Sequence, residues 1–117
     1  MSDIDVTSSA ESVSRGVQTF LDRMLADPLL AWTFEGVDQD QLYRHARAFV
    51  VAALGGPDRY LGRELRGVHE RFHLTNRHFD VAVIHLIESL REAGISDGVL
   101  AELAIRLEPL RRQIVSG

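Results

Sequence analysis

Apolar residues recur along this chain at intervals of three and four, and no stretch alternates with period two for long enough to form a strand. Five segments therefore read as amphipathic helices and the fold as all-α. The first helix carries Val13, Val17, Phe20, Leu21 and Met24 on one face, and Ser8 with Glu11 has the spacing of a capping box that would open it. Pro28 stops that helix and starts a short one bearing Trp32 and Phe34. Asp38 with Gln41 opens the next, whose stripe is Leu42, His45, Ala46, Phe49, Val50 and Ala53. Gly55-Gly56-Pro57 ends it, because glycine accepts the left-handed cap and proline cannot continue a helix. A further stripe runs Leu61, Leu65, Val68, His69, Phe72. After a break at Leu74-Thr75-Asn76, where Thr75 or Asn76 can act as a cap, comes a helix carrying Phe79, Ala82, Val83, Leu86, Ile87 and Leu90 and ending at Gly94. The last carries Val99, Leu103, Leu107, Leu110 and Ile114, with a kink expected at Pro109. Residues 1–9 are expected to be a flexible N-terminal segment and residues 10–117 one domain.

Two of these stripes are each interrupted by one imidazole, His45 in the first and His69 in the second. Burying a neutral imidazole without a partner costs on the order of 1 to 3 kcal/mol, and nothing nearby in sequence on either stripe would satisfy it. A metal-centred group held between two helices would.

The composition narrows the possibilities. With 45% hydrophobic and 26% charged residues, a net charge of -4 and arginines scattered among acids, the 117-residue chain carries no basic run of the kind that binds nucleic acid. The absence of cysteine excludes disulfides, thiolate-bound zinc, iron–sulfur clusters and haem attached through C-x-x-C-H. The N-terminus has neither the basic segment nor the apolar core of a signal peptide. The longest apolar run, residues 48–54, is far short of the roughly 20 residues that span a bilayer. A cytoplasmic location without membrane or nucleic-acid partners is expected.

The stretch Ala52-Ala53-Leu54-Gly55-Gly56-Pro57-Asp58-Arg59-Tyr60-Leu61-Gly62-Arg63, followed by Leu65-Arg66-Gly67-Val68-His69, resembles the truncated haemoglobins, most closely their first group. Arg77-His78-Phe79-Asp80, Leu90-Arg91-Glu92-Ala93-Gly94-Ile95, and Ala26-Asp27 followed by Phe34 keep the same mutual spacing, and the similarity covers roughly residues 10 to 116. The resemblance implies a two-over-two α-helical sandwich around one b-type haem (iron protoporphyrin IX), with residues 10–117 as the globin domain and His69 as the proximal iron ligand. It implies that Phe34 packs against the porphyrin and that His78 lies near the haem rim, a helix-start role being the alternative. Phe49, Phe72 and Phe79, with Phe20 and Trp32, read as pocket walls or plain core. Tyr60, Arg66, Arg44 and Arg47 are candidates for the propionates, since phenols and guanidinium forks suit carboxylates.

Departures from the family pattern matter equally. Ser8-Ser9 replaces the customary Gly-Gly turn, and Leu21 stands where a tyrosine commonly donates to bound dioxygen. Leu42 and Ala46 occupy the other two distal positions and cannot donate. Tyr43 points about 100° away from that stripe on an ideal helix, so it does not replace the missing tyrosine directly. His45 falls where some members of the family bind iron from the distal side, which would make the resting haem bis-histidyl; contact with a propionate at the rim is the other reading. His73 competes with His69 as proximal ligand, while a zinc site from His69, His73 and His78 or Glu70 rests on spacing alone. His85 lies off the apolar face and reads as solvated.

Together these imply a haem protein for dioxygen, nitric oxide or carbon monoxide. Nitric oxide dioxygenation or electron transfer would need an external reductase, because the chain has no flavin or nicotinamide domain. Two other readings stand beside it: a haem-based sensor acting through a separate partner protein, and a globin-shaped interaction module that has lost haem.

Overall fold

The computed structural model describes residues 2–55 and 74–115. Among these, helices α1 (Ser2–Ala26), α2 (Gln39–Gly55), α3 (Asn76–Glu92) and α4 (Asp97–Leu107) make an all-α fold, completed by 3-10 turns at Ala31–Phe34 and Glu108–Leu110 and a short α5 (Arg111–Ile114). The only β-type pairing among them is an isolated parallel bridge between Leu74 and Val115. Helix α1 packs against both α2 and α3, and α4 packs against both α3 and α2. That is a two-over-two sandwich.

The element boundaries follow local chemistry. The Asp38 side chain accepts from the Gln41 N–H at 3.1 Å, as its spacing predicts, and α2 ends at Gly55. Thr75 caps α3 by accepting from the His78 N–H, while His78 Nδ1 accepts from the Thr75 N–H at 2.9 Å, so histidine closes the capping box in the place of the usual glutamate. At the other end of α3, Gly94 adopts φ +105°. Its N–H donates to the Arg91 carbonyl and the Ile95 N–H to the Leu90 carbonyl, both at 3.0 Å, and Ile95 is buried. This is a Schellman closure, which supplies partners to carbonyls that the helix end would otherwise leave bare.

Two boundaries differ from the pattern reading. Helix α1 does not begin at Ser8 but runs from Ser2, because residues 2–7 hold no glycine or proline to stop it. Pro109 does more than kink the last helix: it sits in a 3-10 turn between α4 and α5. Within α4 the buried face is Leu100, Leu103 and Leu107, whereas Val99 is 42% exposed. Val99 serves instead as the N–H donor to the Ser96 cap.

Val13, Val17, Leu21, Val50, Ala53, Phe79, Leu86, Leu90, Leu103 and Leu107 belong to one continuous core. The two helices α1 and α3 come close at Gly16, where a Cβ would sit 2.6 Å from Leu90 Cδ2 and 3.2 Å from Leu90 Cα. Arg23 crosses the same pair of helices, gripping both carboxylate oxygens of Glu92 at 2.8 and 2.7 Å and donating to the buried Ser89 hydroxyl at 3.1 Å.

Candidate functional site

Three histidines lie within the described residues, and their surroundings differ sharply. His78 takes the helix-start role, and its ring also meets Trp32 edge-on with centroids 6.1 Å apart. His85, expected to be solvated, is instead only 22% exposed, with Nε2 2.8 Å from Asp27 Oδ2. The reason is non-local: the turn after α1 folds over that side of α3. The bond to His85, followed by a second from the Leu29 N–H, holds the Asp27 carboxyl below its ordinary value of 3.8. His45 has no hydrogen bond among the described residues and is exposed, not buried as its stripe predicts. Helix α2 buries Val50, Ala52 and Ala53 in its second half, whereas His45, seven residues before Ala52 and so on the same face, is left exposed in its first half.

Leu42, Ala46 and Phe49 flank His45 and are only partly buried against the core edge. Leu21 is buried on α1. With Leu42 it lines a cleft of about 170 Å³ between α1 and α2, whose remaining wall is Gln18, Asp22, Leu25, Gln39, Asp40 and Tyr43. Tyr43 donates to the Ser14 carbonyl at 3.4 Å and so is tied to α1, in the wall of the same cleft as Leu21 and Leu42. Arg47 donates to the Ser14 hydroxyl at 3.0 Å; of the propionate candidates it is engaged elsewhere, because α1 lies within its reach. Phe34 is partly buried at the end of its 3-10 helix, and Phe79 is 6% exposed beneath the guanidinium of Arg111, 4.5 Å from the ring centre. Tyr60, Arg66, His69, Phe72 and His73 lie outside the described residues.

This arrangement suits a flat apolar group with a metal at its centre. Leu42, Ala46 and Phe49 are left partly uncovered, and beside them stands the His45 imidazole, which has no hydrogen-bond partner among the described residues. Imidazole is a good ligand for iron. No group of three or more His, Cys, Asp or Glu side chains that could hold a lone metal ion occurs among the described residues.

The family model for bacterial-like globins matches residues 5–116. The chain belongs to that family. Among its relatives, the group 1 truncated haemoglobin GlbN of Mycolicibacterium paratuberculosis is 33% identical over 107 residues, covering 92% of this chain and 79% of its own. The group 1 truncated haemoglobin of Tetrahymena pyriformis is 30% identical over 104 residues, 89% of this chain and 86% of its own. The crystal structure of the Tetrahymena protein in its Fe(III) form superposes with a TM-score of 0.78 over 90% of both chains. This truncated haemoglobin therefore carries the family's cofactor, haem, and the binding of gaseous ligands at its iron. Two features of it had no signal in the sequence. One is the Asp27–His85 pair; the other is Arg111, which bonds Asn76, Asp80 and Glu108 at once while covering Phe79. Asp27 and His85 are 58 residues apart, and Arg111 lies 35 and 31 residues from Asn76 and Asp80, although only three from Glu108.

Proposed function

We propose that this truncated haemoglobin holds a b-type haem against α2, with His69 as proximal ligand and His45 as a displaceable distal ligand, and that it binds dioxygen, nitric oxide or carbon monoxide. One observation carries the reading of His45: His78 and His85 each hold a hydrogen-bond partner, whereas His45, amid Leu42, Ala46 and Phe49, holds none among the described residues. Turning its side chain toward an iron breaks no existing bond.

When bound, the haem supplies the iron at which a diatomic ligand attaches. The chain's residues supply the rest. His69 would hold the iron as its proximal ligand, and Phe34 and Phe79 would supply apolar walls for the ring. Tyr60 and Arg66 would serve its propionates and Phe72 its wall, while His78, besides capping α3, would stand at its rim. Leu21, Leu42 and Ala46 keep water out of the distal side and offer no donor to an incoming ligand, so its affinity is set by competition with His45 and not by a polar cage. Nitric oxide dioxygenation or electron transfer fits this ligation when a separate reductase delivers the electrons. The lack of cysteine supports a cytoplasmic protein, and no helix among the described residues is long and apolar enough to cross a membrane.

Absorption spectra test both ligands. The ferric protein is expected to be low-spin, and His45→Ala should turn it high-spin while leaving haem bound. His69→Ala should abolish stoichiometric haem uptake. A His45→Ala spectrum identical to that of the parent removes the distal ligand from the proposal.

A further inference from the structure

The chain leaves α1 through a corner organised by Asp27. Its backbone carbonyl accepts from the Leu30 and Ala31 N–H groups at 3.0 and 2.8 Å, and its Oδ1 accepts from the Leu29 N–H at 2.9 Å. These bonds shape the corner and launch the 3-10 helix Ala31–Phe34. The other carboxylate oxygen, Oδ2, is spent on His85 of α3, 58 residues away. His78 and His85 stand seven residues apart, two turns of α3, and so share one face. His85 meets the start of the corner segment through Asp27, and His78 meets the 3-10 helix through Trp32. The segment thus meets α3 through Asp27–His85 and through Trp32–His78, and of these two contacts the first is charge-assisted.

We propose that Asp27 and His85 are positioning residues for the haem pocket, their bond fixing the corner on α3 and thereby setting where the 3-10 helix presents Phe34. The inference rests on the haem site proposed above. Neither residue touches the haem; they act through Phe34. Without the bond, the local turn survives on its backbone and Leu29 contacts, but its seat on α3 loosens.

The chain's single tryptophan, Trp32, lies on this 3-10 helix and reports the seating directly. The test compares parent, His85→Ala, His85→Gln, Asp27→Asn and Arg23→Ala holoproteins. Haem loss to excess acceptor globin and the near-ultraviolet circular dichroism of Trp32 are measured for each. His85→Ala is expected to lose haem about tenfold faster, the scale of one charge-assisted hydrogen bond at a part-exposed site, with a changed Trp32 signal. His85→Gln, whose carboxamide can still donate to Asp27, should recover most of the parent behaviour. Asp27→Asn retains the Leu29 contact and keeps the test alive should the alanine variant fail to fold. Arg23→Ala weakens the α1–α3 pair elsewhere and should lower global stability while leaving haem loss and the Trp32 signal unchanged. Unchanged haem loss in His85→Ala and Asp27→Asn overturns the proposal, as does a changed Trp32 signal with parent-like haem loss. A parent chain that takes up no haem sinks the haem site itself, and the claim on Phe34 with it; an unmoved Trp32 signal sinks the clamp alone.

Discussion

At the scale of single residues, Gly16 and Asp27 show how much can hang on one side chain. Glycine at position 16 is required by space and not by backbone conformation, since a Cβ would press on Leu90, which is fully buried and cannot retreat into solvent. Gly16→Ala should therefore destabilise the fold by about 1–3 kcal/mol, the usual cost of overpacking a dense core, despite the better helix propensity of alanine. A lowered urea midpoint at unchanged m-value would register it. The sequence pattern marked His45 and the apolar residues around it as one group, and the structure keeps that grouping on one sector of α2. That this stripe is uncovered at His45 yet buried from Val50 onward was not legible, because periodicity gives relative angles on a helix and not what lies opposite each turn. The partner of His85 was invisible for a related reason: its periodicity does place it off the apolar face, but what covers it comes from another part of the chain.

At the scale of elements, start and stop signals were the most legible feature. Asp38, Thr75 and Gly94 act where the sequence put them, since a cap is a contact between residues three or four apart and needs no knowledge of the fold. Ser8 misled because a capping box marks a start only where the chain upstream leaves the helix. Val99 misled because Val99 and Leu100 both fit the spacing to Leu103, and only tertiary packing chooses between them. The cap of α3 makes a prediction of its own. Thr75→Ala should cost about 1 kcal/mol and Thr75→Ser much less, read from thermal midpoints.

At the scale of the whole molecule, helices far apart in sequence are tied by charge as well as by burial. Asp27, chiefly through His85, and Glu108, chiefly through Arg111, are both held below their ordinary values of 3.8 and 4.5. A carboxylate whose folded value is depressed stabilises fully above the unfolded value and loses that contribution as pH falls through the folded one. Stability should thus be steady above about pH 5 and decline below it, and the double substitution Asp27→Asn, Glu108→Gln should flatten that decline in acid-titrated denaturation curves. Haem adds a linkage of its own: by binding only the native chain it raises the melting temperature in proportion to the logarithm of its concentration over its Kd. Holoprotein should melt well above apoprotein in a calorimeter.

The close approach of α1 and α3 also orders how the molecule opens. Val17 and Leu90 are fully shielded there and Ser89 is 1% exposed, with Gly16 letting the two backbones nearly touch. Amides in this region can reach solvent only when the helices part, which is complete unfolding. Deuterium should label them last, at a rate that reports the stability of the entire chain, whether or not a porphyrin is aboard.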